Sequence, residues 1–419
     1  MFDNIKDAQQ WIESVYRFGD KYDLSRMEKA VAMLNHPEQR FKSVHIGGTN
    51  GKGSTLTYLK HMLMEAGYSV GTYTSPYVVR FNERITVNGE DIDDDTLLRY
   101  INKIYAFDQR YHQEHHDQIS FFELVTLIAF LCFADTQPDI ALIEVGLGGT
   151  LDATNVITPL VSVITNIGTD HLHVIGPTLE DVARNKLGIV KPGVPLVTAV
   201  EQDTLWPLFE TTCATMKSPL IRMDPQRLQG IELGLPSRFT FDGIAYEVTM
   251  AGLHQVQNAA LALTTAEVLD ETHGIAISEQ AKREALKKAF WPGRFEIIGN
   301  IILDGAHNIE GLTSCLKTVA TYYPNHRVTS LFTVMADKDY QPMLNVLASH
   351  VDRIVFTEIN HPRGEKAAVL KANTDHPDVS AMADLHQALA ESRPKDAMDL
   401  LIITGSLYFI SEARKILMG

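Results

Sequence analysis

The chain has 419 residues, 45% of them hydrophobic and 21% charged, which is a globular composition with material for two or three cores rather than one. Its 52 acidic residues outnumber the 37 basic ones, and the net charge of -15 argues against nucleic-acid or anionic-membrane binding, so an anionic ligand needs local cations. The opening MFDNIKDAQQWIESVY has no basic segment followed by an apolar core, and the most apolar run, Leu124 to Ala134, is too short to span a bilayer. Cys132, Cys213 and Cys315 lie far apart without metal-ligand spacing, so a cytoplasmic protein with buried, reduced thiols is expected.

The first apolar run with strand character ends at Ile46. Gly47 to Ser54, GGTNGKGS, follow it, and an amphipathic helix is expected over Ser54 to Ala66. A strand, a run of small residues and a helix opening make a phosphate cradle, because the free N-H groups and the positive dipole end of the helix point at one spot. Lys52 supplies a point charge, and the hydroxyl of Ser54 or Thr55 can reach a magnesium ion. The spacing is a variant of the Walker pattern: Ile46 stands six places before Lys52, and Gly53 separates the lysine from its hydroxyl. A glycine-rich turn is also a plain connector, and on this segment alone both readings stand.

Strands are then expected at Val70 to Thr74, Ile140 to Val145, Val161 to Thr165 and Leu196 to Ala199, alternating with helices at Asp94 to Gln109, Ser120 to Ala134 and Leu179 to Gly188. Arg238 to Met250 breaks that rhythm with the Asp-Gly turn of a β-hairpin, expected to decorate the edge of the first domain. Helices follow at Gln255 to Thr272 and Glu279 to Ala289, and Trp291-Pro292-Gly293-Arg294 reads as a hinge. After it, strands at Ile301 to Asp304, Val328 to Thr333, Arg353 to Thr357 and Asp399 to Thr404 alternate with helices at Ile309 to Tyr323, Tyr340 to His350, Asp384 to Glu391 and Ser406 to Met418. The expected fold is α/β. It comprises an N-terminal P-loop ATPase domain with a mostly parallel sheet, residues 1–292, and a smaller Rossmann-like α/β domain, residues 293–419.

Ligands bind at the carboxyl ends of strands in open parallel sheets, and here those ends are polar. Ser75 follows the second strand, Glu144 opens into the glycine loop Gly146 to Gly149, and Asn166, Asp170 and His171 follow the fourth strand. Serine, glutamate and histidine near Lys52 suit a magnesium ion bridging protein to phosphate. Glu144 as a loop carboxylate and His171 as a backbone partner remain the alternatives.

GTNGKGS, YTSPY with FNERI, IEVGLGG with LDATN, TDH, NKLGIVKPG, GLHQVQN, WPGRFE, LDGAHN and ITGSLY occur in this order from about residue 40 to the C-terminus. In this the chain resembles the folylpolyglutamate synthase and dihydrofolate synthase family of the Mur ligase superfamily. The resemblance implies an ATP-dependent ligase that phosphorylates a folate or dihydropteroate carboxylate and lets the amine of L-glutamate attack the acyl phosphate, releasing ADP and phosphate. It implies that Asn50, Gly51, Lys52, Gly53 and Ser54 hold the phosphates, that Ser75, Glu144 and His171 ligate Mg2+, and that Asn258, Arg294 and Asp304 contact ATP. Lys186 matches a lysine often carried as a carbamate, with an ordinary surface salt bridge as the alternative reading of the residue alone. Lys52, Lys186 and His307 are the expected catalytic residues.

Tyr77 and Arg84 are expected at the pterin-bearing substrate, although packing of Tyr77 and Phe81 in a core explains the aromatics equally well. The glutamate site is expected in the C-terminal domain, with His307 and Ser406, and Asp304 or Asn308 could instead cap the helix at Ile309. A K+ requirement and a monomeric state complete the expectations. Three departures from the family pattern are Gly47 in place of threonine, Thr150 in place of arginine, and His173 with Ile175 after TDH. The rival reading is a peptidoglycan Mur-type amino-acid ligase, disfavoured because fewer than fifty residues precede the loop, too few for the usual extra domain.

Overall fold

The computed structural model describes residues 1–15, 23–170 and 172–418. The chain forms two units, Met1–Gln226 with Asn258–Leu286 and Arg227–Gln257 with Lys287–Gly419.

The first unit is built on an eight-stranded sheet of β1 (Ser43–Gly47), β2 (Val70–Tyr73), β3 (Ile85–Val87), β4 (Glu90–Asp91), β5 (Ile140–Glu144), β6 (Val161–Ile164), β7 (Leu196–Thr198) and β8 (Leu220–Arg222), in the order β4-β3-β2-β5-β1-β6-β7-β8. β3 pairs antiparallel with both β2 and β4, and every other pairing is parallel. β1 is buried along its whole length between β5 and β6, which is why it reads as an uninterrupted apolar run rather than an alternation. Its register sets Ile46 beside Glu144 and Gly47 beside Ile164, so the glycine loop after β1 and the carboxylate ending β5 leave the same sheet edge.

Leu124 to Ala134 lies inside helix Phe121–Thr136, whose Phe130 and Phe133 share a core with Ile101 and Ile104 of helix Asp94–His115 and with Ile12 near the N-terminus. A helix apolar on all sides is a core element, as expected. Ser120 and Glu123 form a capping box at its start, and Arg26 pairs with both Glu123 oxygens at 3.1 Å, away from water.

The second unit contains a three-stranded antiparallel sheet, β9 (Leu228–Glu232), β10 (Ser237–Phe241) and β11 (Ile244–Val248), and a six-stranded sheet. The latter runs β12 (Glu296–Ile298), β13 (Ile301–Asp304), β17 (Asp399–Thr404), β14 (Arg327–Phe332), β15 (Arg353–Phe356) and β16 (Val379–Ala381) in spatial order, parallel except for β12 against β13. Asp242 and Gly243 both take positive φ, 50° and 76°, as the tight hairpin requires.

The hairpin forms as expected but groups with the second unit, not the first. Ser237 Oγ lies 2.7 Å from Tyr322 Oη, and Thr249 Oγ1 donates to the Ala289 carbonyl. By contacts, residues 227–257 and 287–292 also group with the second unit.

Candidate nucleotide and ligase site

In the first unit the loop from β1 is bent by two residues that only glycine suits. Gly48 has φ +136° and a Cβ there would fall 1.9 Å from Thr165 Oγ1, while Gly51 has φ +82° and its Cβ would fall 2.4 Å from Asn258 Oδ1. Asn258 thus flanks the loop. The loop after β6 straps the cradle from the other side: Asn50 N donates to Asn166 Oδ1 at 2.9 Å, Thr165 Oγ1 to the Asn50 carbonyl, and Gly168 N to Thr49 Oγ1. Helix Lys52–Glu65 then opens with no side-chain cap at Gly51, which leaves its first turn suited to an anion.

Two lysines converge on one acceptor in this loop. Lys52 Nζ donates to the Gly48 and Thr49 carbonyls at 3.1 Å, and Lys186 Nζ donates to the same Gly48 carbonyl at 2.9 Å. Lys186 is 4% exposed, so the surface salt bridge considered for it is excluded. Burial, then the charge of Lys52, pulls its pKa down to about 7. Gly149 presses on its backbone, since a Cβ there would sit 2.7 Å from the Asn185 carbonyl oxygen and 2.8 Å from that of Lys186.

Glu144 is 5% exposed and accepts the Ser75 N-H at 3.0 Å, so these two expected metal ligands are in contact. His171, the third, lies outside the described residues. Ser54 is buried in the first turn of the helix, and Thr55 Oγ1 is buried without a hydrogen-bond partner in the protein. Among the described residues no three His, Cys, Asp or Glu side chains cluster as a metal site. Glu144 supplies one carboxylate, and magnesium held against phosphates needs only one or two. The oxygen donors and the glycine cradle therefore fit a magnesium nucleotide.

A polar chain not anticipated from sequence ties β1 to the loop after Glu144. Asp152 accepts from Leu147 N at 2.8 Å, from Thr154 N at 3.0 Å and from the Thr154 hydroxyl, and Thr154 Oγ1 lies 2.8 Å from His45 Nε2. The single hydroxyl proton of Thr154 goes to Asp152, so His45 must be the donor to Thr154 through Nε2-H. Burial, with the Lys191 charge adding to it, lowers the His45 pKa to about 3; burial alone raises that of Asp152, against the hydrogen bonds it accepts. LDATN carried the acid and the hydroxyl in plain view, but nothing local announces a partner 109 residues away.

Arg84 is 5% exposed, with its guanidinium 5.1 Å from the Tyr77 ring centroid and 5.5 Å from those of Phe81 and Phe121. Its Nε has no partner, and Tyr77 Oη donates to Glu13 at 3.3 Å. The rings pack together, as the core reading expects, and at the same time box a cation.

In the second unit Asp304 ends β13 and accepts Phe295 N and Ala306 N at 2.9 Å each. Burial raises its pKa and the Arg294 charge opposes that rise. Asn308, not Asp304, caps helix Ile309–Tyr322, through Gly311 N at 2.8 Å. His307 Nδ1 faces the Gly305 carbonyl at 2.9 Å; a carbonyl only accepts, so Nδ1 carries the proton. His254, on the GLHQVQN segment, lies 2.8 Å from Ser314 Oγ, and burial with the Arg294 charge lowers its pKa to about 4.

A phosphate cradle on one parallel sheet and a second parallel α/β unit carrying DGAHN define a nucleotide-using enzyme of two α/β parts. The family model of the Mur ligase middle domain matches residues 46–266 and that of the Mur ligase glutamate ligase domain matches residues 293–407. The molecule is thus a Mur ligase, an ATP-dependent enzyme that forms amide bonds. It is similar to the dihydrofolate synthase/folylpolyglutamate synthase of Bacillus subtilis, 39% identical over 99% of both chains. Among solved structures it is similar to folylpolyglutamate synthase from Thermotoga maritima (30% identity, TM-score 0.84, 99% and 96% covered) and to a folylpolyglutamate synthase complex with AMPPCP and folate (32%, 0.87, 99% and 100%). The chain belongs to the folylpolyglutamate synthase/dihydrofolate synthase family. The names of these relatives are those of folate enzymes rather than peptidoglycan ligases, so the rival reading falls.

Proposed function

We propose that the protein uses ATP and magnesium to add L-glutamate to folates, and that it also converts dihydropteroate to dihydrofolate. The observation that carries this is the full-length likeness to a B. subtilis enzyme named for both activities, joined to a cradle on which two lysines meet. A carboxylate is a poor electrophile; transfer of the γ-phosphoryl group to one of its oxygens makes phosphate the leaving group when the glutamate amine attacks. Such transfer depends on positioning and charge neutralisation more than on covalent help. Asn50 to Ser54 hold the phosphates, and Lys52 exchanges its carbonyl acceptors for phosphate oxygens. Ser75, Glu144 and His171 hold magnesium, which when bound neutralises phosphate charge. Asn258, Arg294 and Asp304 hold the nucleotide.

Lys186 is read as a carbamate. A neutral amine attacks carbon dioxide, forming an N-C bond and losing a proton, and the product is an anion beside Lys52 instead of a second cation. What supports this is the lowered pKa, which supplies neutral amine near pH 7. The domain beginning at residue 293 binds glutamate, with His307 presenting Nε2 as its basic nitrogen and Ser406 nearby in sequence terms at the end of β17. Tyr77 and Arg84 receive the acceptor, Arg84 bringing a cation that has no carboxylate partner among the described residues. K+ is a further requirement, and the protein acts as a cytoplasmic monomer.

One assay tests most of this: phosphate release with ATP, magnesium, potassium and glutamate, comparing tetrahydrofolate with dihydropteroate. Release with both acceptors is expected, and release with neither above background rejects the assignment. Lys52→Ala is expected to abolish turnover with its circular dichroism unchanged.

A further inference from the structure

The turn Gly293 to Glu296 is held in a conformation its sequence disfavours. Phe295 has φ +49°, the left-handed region, which a bulky aromatic avoids unless its surroundings over-determine it. The surroundings do so at four points. Gly293 N donates to Glu296 Oε2 at 2.8 Å, Gly305 N donates to the Gly293 carbonyl at 2.8 Å, and Phe295 N donates to Asp304 Oδ2 at 2.9 Å. The fourth reaches in from the C-terminal helix Leu407–Met418: Arg414 Nε donates to both Glu296 oxygens at 3.0 Å, with the Glu296 side chain 7% exposed.

Arg294 is the residue this clamp surrounds. It is half-buried, Asp304 and His254 feel its charge, yet its guanidinium makes no hydrogen bond or ion pair with the described residues. A long side chain that no partner holds is aimed by its backbone, and here the backbone is set by Glu296. Glu296 keeps its own place through Arg414, because a carboxylate this buried requires a paired cation. The clamp thus runs from the C-terminal helix, through one carboxylate, to the strained turn that presents the guanidinium.

We infer that Glu296 and Arg414 are positioning residues that aim Arg294 for the ligase reaction. The inference rests on the reading of Arg294 as a nucleotide contact, and the experiment separates the two. KM for ATP, KM for the folate acceptor and kcat are measured for Arg294→Ala, Arg414→Ala, Arg414→Lys, Glu296→Gln and the Arg294→Ala/Arg414→Ala double variant, with thermal melts of each. Arg414→Ala is expected to raise KM for ATP about tenfold while KM for the acceptor stays within about twofold. Arg414→Lys, which keeps one charged donor, recovers part of the loss. Glu296→Gln, which keeps size and shape, moves the ATP value in the same direction and serves if the alanine variant does not fold. In the Arg294→Ala background Arg414→Ala adds nothing, since one act of positioning cannot be lost twice. Additive losses in the double variant, or equal rises in both KM values, overturn the inference and make the pair merely structural. An unchanged ATP value in Arg414→Ala and Glu296→Gln beside a raised one in Arg294→Ala overturns the inference alone. An unchanged value in Arg294→Ala overturns the nucleotide reading of Arg294 and the inference with it.

Discussion

Lys186 is a lysine held close to the point of losing its proton. Its pKa of about 7, against 10.5 in water, follows from burial and from Lys52 bonded to the same carbonyl. Below pH 7 the amine is protonated and inert to carbon dioxide; above it the neutral amine dominates. With 13C-bicarbonate, a carbamate carbon signal is therefore expected to grow as pH rises through about 7, and to be missing in Lys186→Ala. A signal that does not depend on Lys186 contradicts the carbamate reading. At this scale the sequence was most informative where chemistry is local: GTNGKGS, the serine after β2 and the glutamate ending β5 each stand at a strand end that the sequence marks. His45 could not be read, because its meaning lies in Thr154 and Asp152, and only the fold brings a strand residue next to a loop so distant in the chain.

Among elements, the glycine loop after β5 is tightly fitted. Gly149→Ala would drive a methyl group against the carbonyl oxygens of Asn185 and Lys186, backbone atoms that cannot step aside. A loss of about 1–3 kcal/mol in denaturant stability is expected, with activity falling further because Glu144 and Lys186 flank the loop. Gly193→Ala is the control: its φ of +74° carries the backbone penalty, but no heavy atom lies within 4 Å of the added carbon. If the two variants behave alike, the tight fit has no consequence.

The principal strands and helices were legible because fully buried parallel strands appear as short apolar runs and the helices between them keep a 3.6-residue period. β3, β4, β8, β9, β12 and β16 were not. All but β9 have only two or three residues, too few to show a period, and all but β3 lie at the edge of a sheet. The hairpin was legible as a hairpin, but its allegiance was not, since Tyr322 receives it from far along the chain.

For the whole molecule, each unit contains a histidine kept neutral by burial, His45 with a pKa near 3 and His254 near 4. Above pH 6.5 both are neutral whether folded or unfolded, and they contribute no pH dependence. As pH falls below 6.5 the unfolded chain takes up protons that the native one refuses, so stability is lost progressively, until about pH 4 for His254 and about pH 3 for His45. His45→Gln, which keeps an N-H toward Thr154, is expected to flatten the fall of the urea midpoint between pH 6 and pH 4. An unchanged slope shows that His45 is not buried as described. Residues 227–257 group by contacts with the second unit although they lie in the chain between two segments of the first, because packing rather than chain order decides that grouping.

The carbonyl of Gly48 gives the cradle a resting state of its own. Lys52, half-buried, already holds two carbonyl acceptors there, so on the proposed role an arriving phosphate would replace one set of oxygen acceptors with another. Loading and unloading would then be an exchange between neighbours, and Lys186, bonded to the same oxygen, would feel it directly.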